Sequence, residues 1–240
     1  MKTQNLLFFP FLFALGIGLF SCNIGNNGNV QTFQNIPAVA TYNYDLMGIM
    51  LGTPYGYIAM PELNAMPGDC LLLNQYTIDY DNQPSTQYYT ATNVDVDKNI
   101  GQSYIEQNDT VLINNSTLPL TGVSVYATSP YFEGKFFVST ACNDNNPTFR
   151  LVYNNTKDEA NGVKNLYLLA QPSGTGSSTV GFYQALDVST LTMRDTTVSG
   201  VNLQYVTVKL NYLSAISDTG VPTYTGVSQN PFTIYIFQNQ

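Results

Sequence analysis

Four aspartates stand in pairs two residues apart, Asp79 with Asp81 and Asp95 with Asp97, a spacing that puts both members of a pair on one face of an extended strand. Paired carboxylates are the minimum equipment for acid/base hydrolysis of a glycosidic bond. The other common routes are closed. The chain has no histidine, so the imidazole that activates Ser or Cys nucleophiles and serves as general base is missing. Both pairs lie in turn-like sequence beside Asn, Gln and Pro. Solvated turn acids are therefore favoured over a carboxylate hydrolase, and the chain is expected to be non-enzymatic.

The second pair extends into a metal pattern. Asp95, Asp97, Asn99 and Glu106 occupy positions 1, 3, 5 and 12 of a calcium loop, which gathers hard oxygen ligands. Position 6 of such a loop needs Gly for its sharp turn, but Ile100 stands there and Gly101 comes one residue late. An acidic turn followed by a strand is the favoured alternative. Zinc is excluded more simply: three cysteines without a CxxC or any histidine cannot supply four soft ligands. No metal or cofactor is expected. Setting Cys22 aside, Cys70 and Cys142 are left either to form a disulfide in an oxidising compartment or to act as two small buried side chains. Tyr80 and Tyr88 flank Asp79 and Asp81, where aromatic rings beside carboxylates and amides could face a sugar or peptide. The competing account is cross-strand packing, favoured because Trp, a common carbohydrate platform, is absent among eighteen tyrosines.

These residues need strands to hold them. Short runs of period two recur at 55–60, 70–79, 87–92, 111–113, 123–126, 135–139, 149–153, 166–170, 181–186, 202–213 and 232–237, separated by turn residues. No sustained 3.6-residue apolar stripe interrupts them, so an all-β protein built as a barrel or sandwich is predicted. In front of them, Lys2, an apolar run ending at Phe20 and then Ser21-Cys22 form the charged, apolar and small-residue regions of an export signal. Leu19-Phe20-Ser21-Cys22 is similar to a bacterial lipobox, with cleavage by the general signal peptidase as the alternative. Pro10, Gly16 and Gly18 argue against a spanning helix. An acylated Cys22 would anchor the protein, each buried methylene contributing ~0.8 kcal/mol.

Loss of Lys2 with the signal leaves seven basic residues against sixteen acidic ones. Nucleic acid is excluded as a partner, since phosphate neutralisation needs clustered Lys and Arg. The sequence divides into a signal peptide over 1–22, a flexible tether over 23–40, and two β domains over 41–120 and 121–240, the last boundary set by the Pro/Gly-containing stretch 110–123.

The lipobox, the Tyr55-Gly56-Tyr57 strand, the Gly68-Asp69-Cys70-Leu71 entry into a strand running on to Gln83, and the strand Leu166–Ala170 together resemble the NigD-like lipoproteins of Bacteroidetes. That resemblance implies a small N-terminal OB-like β-barrel followed by a C-terminal antiparallel β-sandwich, and brings no catalytic residues. It also implies an outer-membrane site. Residues 23–29 carry no Asp or Glu, whereas an acidic run there marks surface export in those bacteria, so the periplasm-facing leaflet is expected. The function expected is a lipid-anchored binding or interaction module of the cell envelope, with an envelope protein or glycan as partner. A fimbrial-type assembly subunit that pairs strands between chains, through 232–237, is the alternative.

Overall fold

The structure is a computed structural model that describes residues 29–107, 110–174, 176, 178–198 and 200–237, with the backbone alone at 97–99. The signal peptide, Cys22 and residues 23–28 lie outside the described residues. Five strands open the fold: β1 (Val30–Asn43), β2 (Gly48–Thr53), β3 (Gly56–Ala59), β4 (Cys70–Asp79) and β5 (Tyr89–Asn99). They close into a barrel in the order β1-β2-β3-β5-β4. Only β3 and β5 run parallel; the other neighbours are antiparallel.

The interior holds Phe33, Ile36, Ala38, Leu51, Ile58, Leu71, Leu73, Tyr76 and Ile78. On β4 the inward residues step from Leu71 and Leu73 to Tyr76 and Ile78, a break in period two that coincides with register shifts against β5. Asn35 and Asn93 sit at positive φ, 53° and 52°, which Asn tolerates better than most residues.

Two expected boundaries are corrected. Residues 30–40, expected as tether, form most of β1. Asn35 throws Phe33 and Ile36 out of simple alternation, and Pro37 argues against a strand. Pro37 is accommodated because the ladder to β2 begins only at Val39, so β1 is paired there on the β4 side alone. The barrel ends at Asn99 rather than near residue 120. After the single buried residue Ile100, β6 (Gly101–Gln107) passes into the second unit. The apolar run 111–113, expected as a strand, is one turn of helix, α1 (Thr110–Asn115); short apolar runs carry no periodicity to separate the two.

The second unit adds β7 (Thr121–Thr128), β8 (Lys135–Cys142), β9 (Thr148–Tyr153), β10 (Lys164–Gln171), β11 (Val180–Asp187), β12 (Arg194–Val198), β13 (Val201–Ile216), β14 (Pro222–Gly226) and β15 (Phe232–Phe237). With β6 they form one ten-stranded sheet in the order β12-β13-β10-β9-β6-β11-β8-β7, with β14 and β15 also on β13. It is mixed rather than wholly antiparallel, since β6 runs parallel to β9 and β11, and β10 to β13. The sheet curls so that Phe136 and Val138 of β8, Leu151 of β9, Leu166 and Leu168 of β10, Val206 and Val208 of β13 and Ile234 of β15 share one core.

The two units are tightly joined. Val39, Cys70 and Leu72 from the barrel pack with Ile100, Phe132, Phe137 and Ala185, and all six residues of β2 are buried. Gly52 lets β2 meet the 3-10 turn Pro130–Phe132 at its backbone: a Cβ built there would lie 2.0 Å from the Tyr131 carbonyl oxygen. The Ser129 hydroxyl donates to Thr53 O at 3.1 Å, and the Tyr126 hydroxyl donates to Asn35 O.

Candidate functional site

The barrel end at which β1 starts collects most of the residues singled out from sequence. Val30 pairs with Asp79 and Ile58 with Tyr89, so the start of β1, the end of β4 and the starts of β3 and β5 share that end. Asp79, Tyr80 and Asp81 come together there, and Tyr88 closes the same loop, half-buried. The carboxylates hold structure. Asp79 accepts from Asp81 N at 3.1 Å and Asn82 Nδ2 at 2.7 Å. Asp81 accepts from Asn29 N at 3.3 Å and Asn29 Nδ2 at 2.7 Å, fixing where the chain enters the barrel. Gln83 completes the loop, donating to Asp79 O and accepting from Thr90 N.

Aromatic rings fill the space beneath. Phe33 contacts Tyr55 at 4.6 Å and stacks on Tyr76 at 4.8 Å, and Tyr80 meets Tyr89 edge-on at 5.3 Å. Burial, then the neighbouring phenols of Tyr89 and Tyr55, push the Tyr80 hydroxyl up to about 12. Tyr76 is fully buried, and its hydroxyl has no hydrogen-bond partner among the described residues. Thr53 lies beside it, its hydroxyl donating to Gly56 O at 2.8 Å and accepting from Tyr55 N at 3.1 Å. Burial accordingly raises the Tyr76 phenol far above its ordinary value. Tyr80 keeps about a third of its surface open (36%), so this end is a packed aromatic plug with a partly open rim.

The other sequence candidates do not assemble into sites. Asp95 lies on β5 and accepts from Asn74 Nδ2 at 3.3 Å; the side chains of Asp97 and Asn99 are outside the described residues. The calcium pattern spans two extended strands, not a loop, and its last ligand, Glu106, is held by Arg150 through Nε to Oε1 at 2.6 Å and through Nη2 to Oε2. Among the described residues, no group of three acidic, His or Cys side chains could hold a metal. Of the two readings left open for the cysteine pair, the structure shows the second: Cys70 and Cys142 are both free and buried, Cys70 at the junction of the units and Cys142 in the core of the second. Burial pushes the Cys70 thiol up to about 12 and raises that of Cys142.

The sequence did not point to a groove on β6. This strand pairs with β11 from Gly101 to Tyr104 and with β9 only from Ile105 to Gln107. Where it parts from β9, an open cavity of about 360 Å³ is lined by Gln102, Tyr104, Glu106, Arg150, Thr148 and Gln171 over a floor of Ser103 and Phe149. Ser103 replaces the missing ladder: its hydroxyl donates to Phe149 O at 3.0 Å and accepts from Gln184 Nε2 at 3.0 Å. The only signal for it in the sequence was Gln102, Tyr104 and Glu106 at alternate positions, one face of a strand.

Residues 28–96 match the family model of the lipoprotein OB domain. No curated protein matches the chain in sequence. Among solved structures, an uncharacterized protein from Parabacteroides merdae superposes with a TM-score of 0.60 at 13% identity, over 87% of this chain and 100% of its own. A protein of unknown function from Bacteroides vulgatus gives 0.54 at 13%, over 83% and 90%. A NigD-like immunity protein from Bacteroides caccae gives 0.50 at 12%, over 89% and 99%. At such identities these likenesses concern fold. The expected two-unit, all-β architecture is therefore found in a NigD-like protein and its neighbours, and residues 28–96 of this chain form a lipoprotein-type OB barrel.

Proposed function

We propose that the protein is a lipid-anchored, non-enzymatic module of the outer membrane that binds an envelope protein or glycan, with Cys22 as its anchor and its domains facing the periplasm. The observation that carries this is the lipoprotein-type OB barrel at residues 28–96, which starts almost directly after the lipobox cysteine. No helix among the described residues is long and apolar enough to cross a membrane. Six residues separate Cys22 from Asn29, a reach of at most about 25 Å over the seven steps, and Asn29 is hydrogen-bonded to Asp81. The aromatic barrel end then stands next to the bilayer.

OB barrels commonly take oligonucleotides and oligosaccharides on the face of strands 2 and 3. Here β2 is buried along its whole length, with Ile49 and Leu51 in the barrel interior, Gly48 against Pro61 and Gly52 against the Tyr131 turn of the second unit, which leaves partners to the loops and to the outer face of the large sheet. Of the carboxylates that could have served a hydrolase, Asp79 and Asp81 are spent on the turn and on Asn29, and Asp95 accepts from Asn74. Strand exchange is also less supported, because β15 already pairs with β13 and buries Ile234.

Intact mass of the membrane-extracted protein should show acylated Cys22, Cys22→Ala should move the protein to the soluble fraction, and external protease should spare it on whole cells. A photocrosslinker at Tyr80 or Gln171 should give the same adduct in replicate cells. An unlipidated mass refutes the anchor, external cleavage refutes the leaflet, and hydrolysis abolished by Asp79→Asn with folding intact refutes the non-enzymatic assignment.

A further inference from the structure

We propose that the groove between β6 and β9 binds a neutral saccharide, which rests on the assignment of the chain as a binding module and gives it a site. Its volume of about 360 Å³ falls within the roughly 300–1,000 Å³ of small-ligand pockets. Its wall combines the two elements sugar recognition needs. Tyr104 presents an aromatic ring that is 63% exposed, large for an unpartnered ring on a sheet and available to stack on the apolar face of a pyranose. Around it stand planar polar groups: the amides of Gln102 and Gln171 and the Glu106–Arg150 pair, whose edges can meet vicinal hydroxyls. Gln102 is held in place by donating to Gly68 O at 3.0 Å, and its Oε1 lies 3.4 Å from the Tyr104 hydroxyl.

Charge selects the ligand class. Glu106 and Arg150 neutralise one another while their side chains stay about a third exposed, 34% and 29%, and among the described residues no other charged side chain lines the groove. A charged ligand would gain no net attraction there and would lose hydration. Geometry disfavours a peptide. An added strand needs about 4.7–4.9 Å to each neighbour, but the Ser103 hydroxyl already bridges to Phe149 O at 3.0 Å. Position suits a ligand arriving from the aqueous side. The ten residues of β4 span about 30 Å, and β6 leaves the barrel at the end opposite Asn29.

The test is affinity electrophoresis of the mature chain through gels containing mixed-linkage β-glucan, α-mannan, arabinoxylan or galactomannan, with anionic polygalacturonate alongside. At least one neutral polymer should retard the protein. Tyr104→Ala should weaken that retardation at least tenfold and Gln171→Ala severalfold, while Tyr104→Phe retains it. Tyr44→Ala, at an 86% exposed ring on the β1–β2 turn, should bind as the parent does. All these positions are exposed, and melting curves matching the parent will show that the variants fold. Retardation by none of the neutral polymers, preference for polygalacturonate, or undiminished binding by Tyr104→Ala overturns the proposal. If crosslinked partners persist in that event, the binding-module assignment stands without this site; if they are absent as well, both fall.

Discussion

Replacing Gly52 with Ala tests whether the barrel and the large sheet are one rigid body. The added methyl would sit 2.0 Å from the Tyr131 carbonyl oxygen and 3.0 Å from its carbon, and both are backbone atoms that cannot rotate away. Restoring ordinary contact, about 3.5 Å, requires the turn Pro130–Phe132 to retreat by more than about 1 Å. Phe132, fully buried at the junction with Phe137 and Leu72, would have to follow. Overpacking of this kind costs about 1–3 kcal/mol, and losing the bond from Ser129 to Thr53 O adds about 1 kcal/mol. A total near 3 kcal/mol corresponds to a fall in Tm of about 6–12 °C for a protein of this size. The control is Gly181→Ala, where the nearest atom, Thr140 O, is 4.0 Å away; a Gly in a strand gains slightly from a side chain, so its Tm should hold or rise. Melting of the mature chain followed by circular dichroism decides the matter. If Gly52→Ala melts within 2 °C of the parent, the close approach of β2 to that turn is not a feature of the folded protein.

Tyr76→Phe removes a buried hydroxyl that lacks a partner and should stabilise by about 1 kcal/mol, seen as a rise in Tm; a fall would show that the hydroxyl is satisfied. Cys70 and Cys142 should resist alkylation in the native protein, react once it is unfolded, and leave the Tm unchanged by reductant, because both are free and buried; a reductant-dependent Tm would restore the disulfide. Asp144 accepts from the Ser173 hydroxyl and from the amides of Asn146, Ser173 and Gly174, and these bonds, the Ser173 hydroxyl first, hold its carboxyl below its ordinary value. A depressed folded value means that its contribution is complete above the unfolded pKa, about 4, and is lost as pH falls through the lower folded value. Asp144→Asn should therefore flatten the stability profile between about pH 2 and 4 and speed proteolysis at 172–174, whereas a profile parallel to the parent would count against that role.

Period two showed most of the strands because their inward faces are aliphatic: Leu71 and Leu73 on β4, Phe136 and Val138 on β8, Val206, Val208 and Leu210 on β13. It failed wherever a strand was buried by other means. On β1, Asn35 takes positive φ and shifts the phase, and Pro37 is harmless only because one side of the strand is unpaired there, a fact of topology with no local signal. On β6 the buried position is Ser103, which earns its place by bonding to Phe149 O and Gln184, so the strand reads as polar and the groove beside it went unseen. The acidic residues misled for a related reason. Asp81 holds Asn29 from 52 positions away, and Glu106 holds Arg150 from 44, distances over which spacing says nothing. The tyrosine cluster around Tyr80 was legible in place but not in depth, since only the fold shows that Phe33 and Tyr76 pack underneath and turn most of it into core.

The burial of β2 changes where function can reside. In a free OB barrel the face of β2 and β3 is open; here all of β2 is buried, with Gly48 against Pro61 of the barrel's own loop and Gly52 against the Tyr131 backbone of the second unit, so that surface is closed to a partner. Its aromatic end is hydrogen-bonded to Asn29 through Asp81, so in the proposed arrangement that end would face the anchor at Cys22. With Cys22 lipidated as proposed, the barrel would act as a spacer, holding the large sheet about one strand length, roughly 30 Å, beyond Asn29. After the single residue Ile100, β6 enters between β11 and β9, parallel to both, with its ladder to β11 over Gly101–Tyr104 and its ladder to β9 only over Ile105–Gln107. The groove at Tyr104 lies where the ladder to β9 has not yet begun, at the end of the barrel opposite Asn29, which is the side that the proposed anchoring at Cys22 would turn away from a membrane.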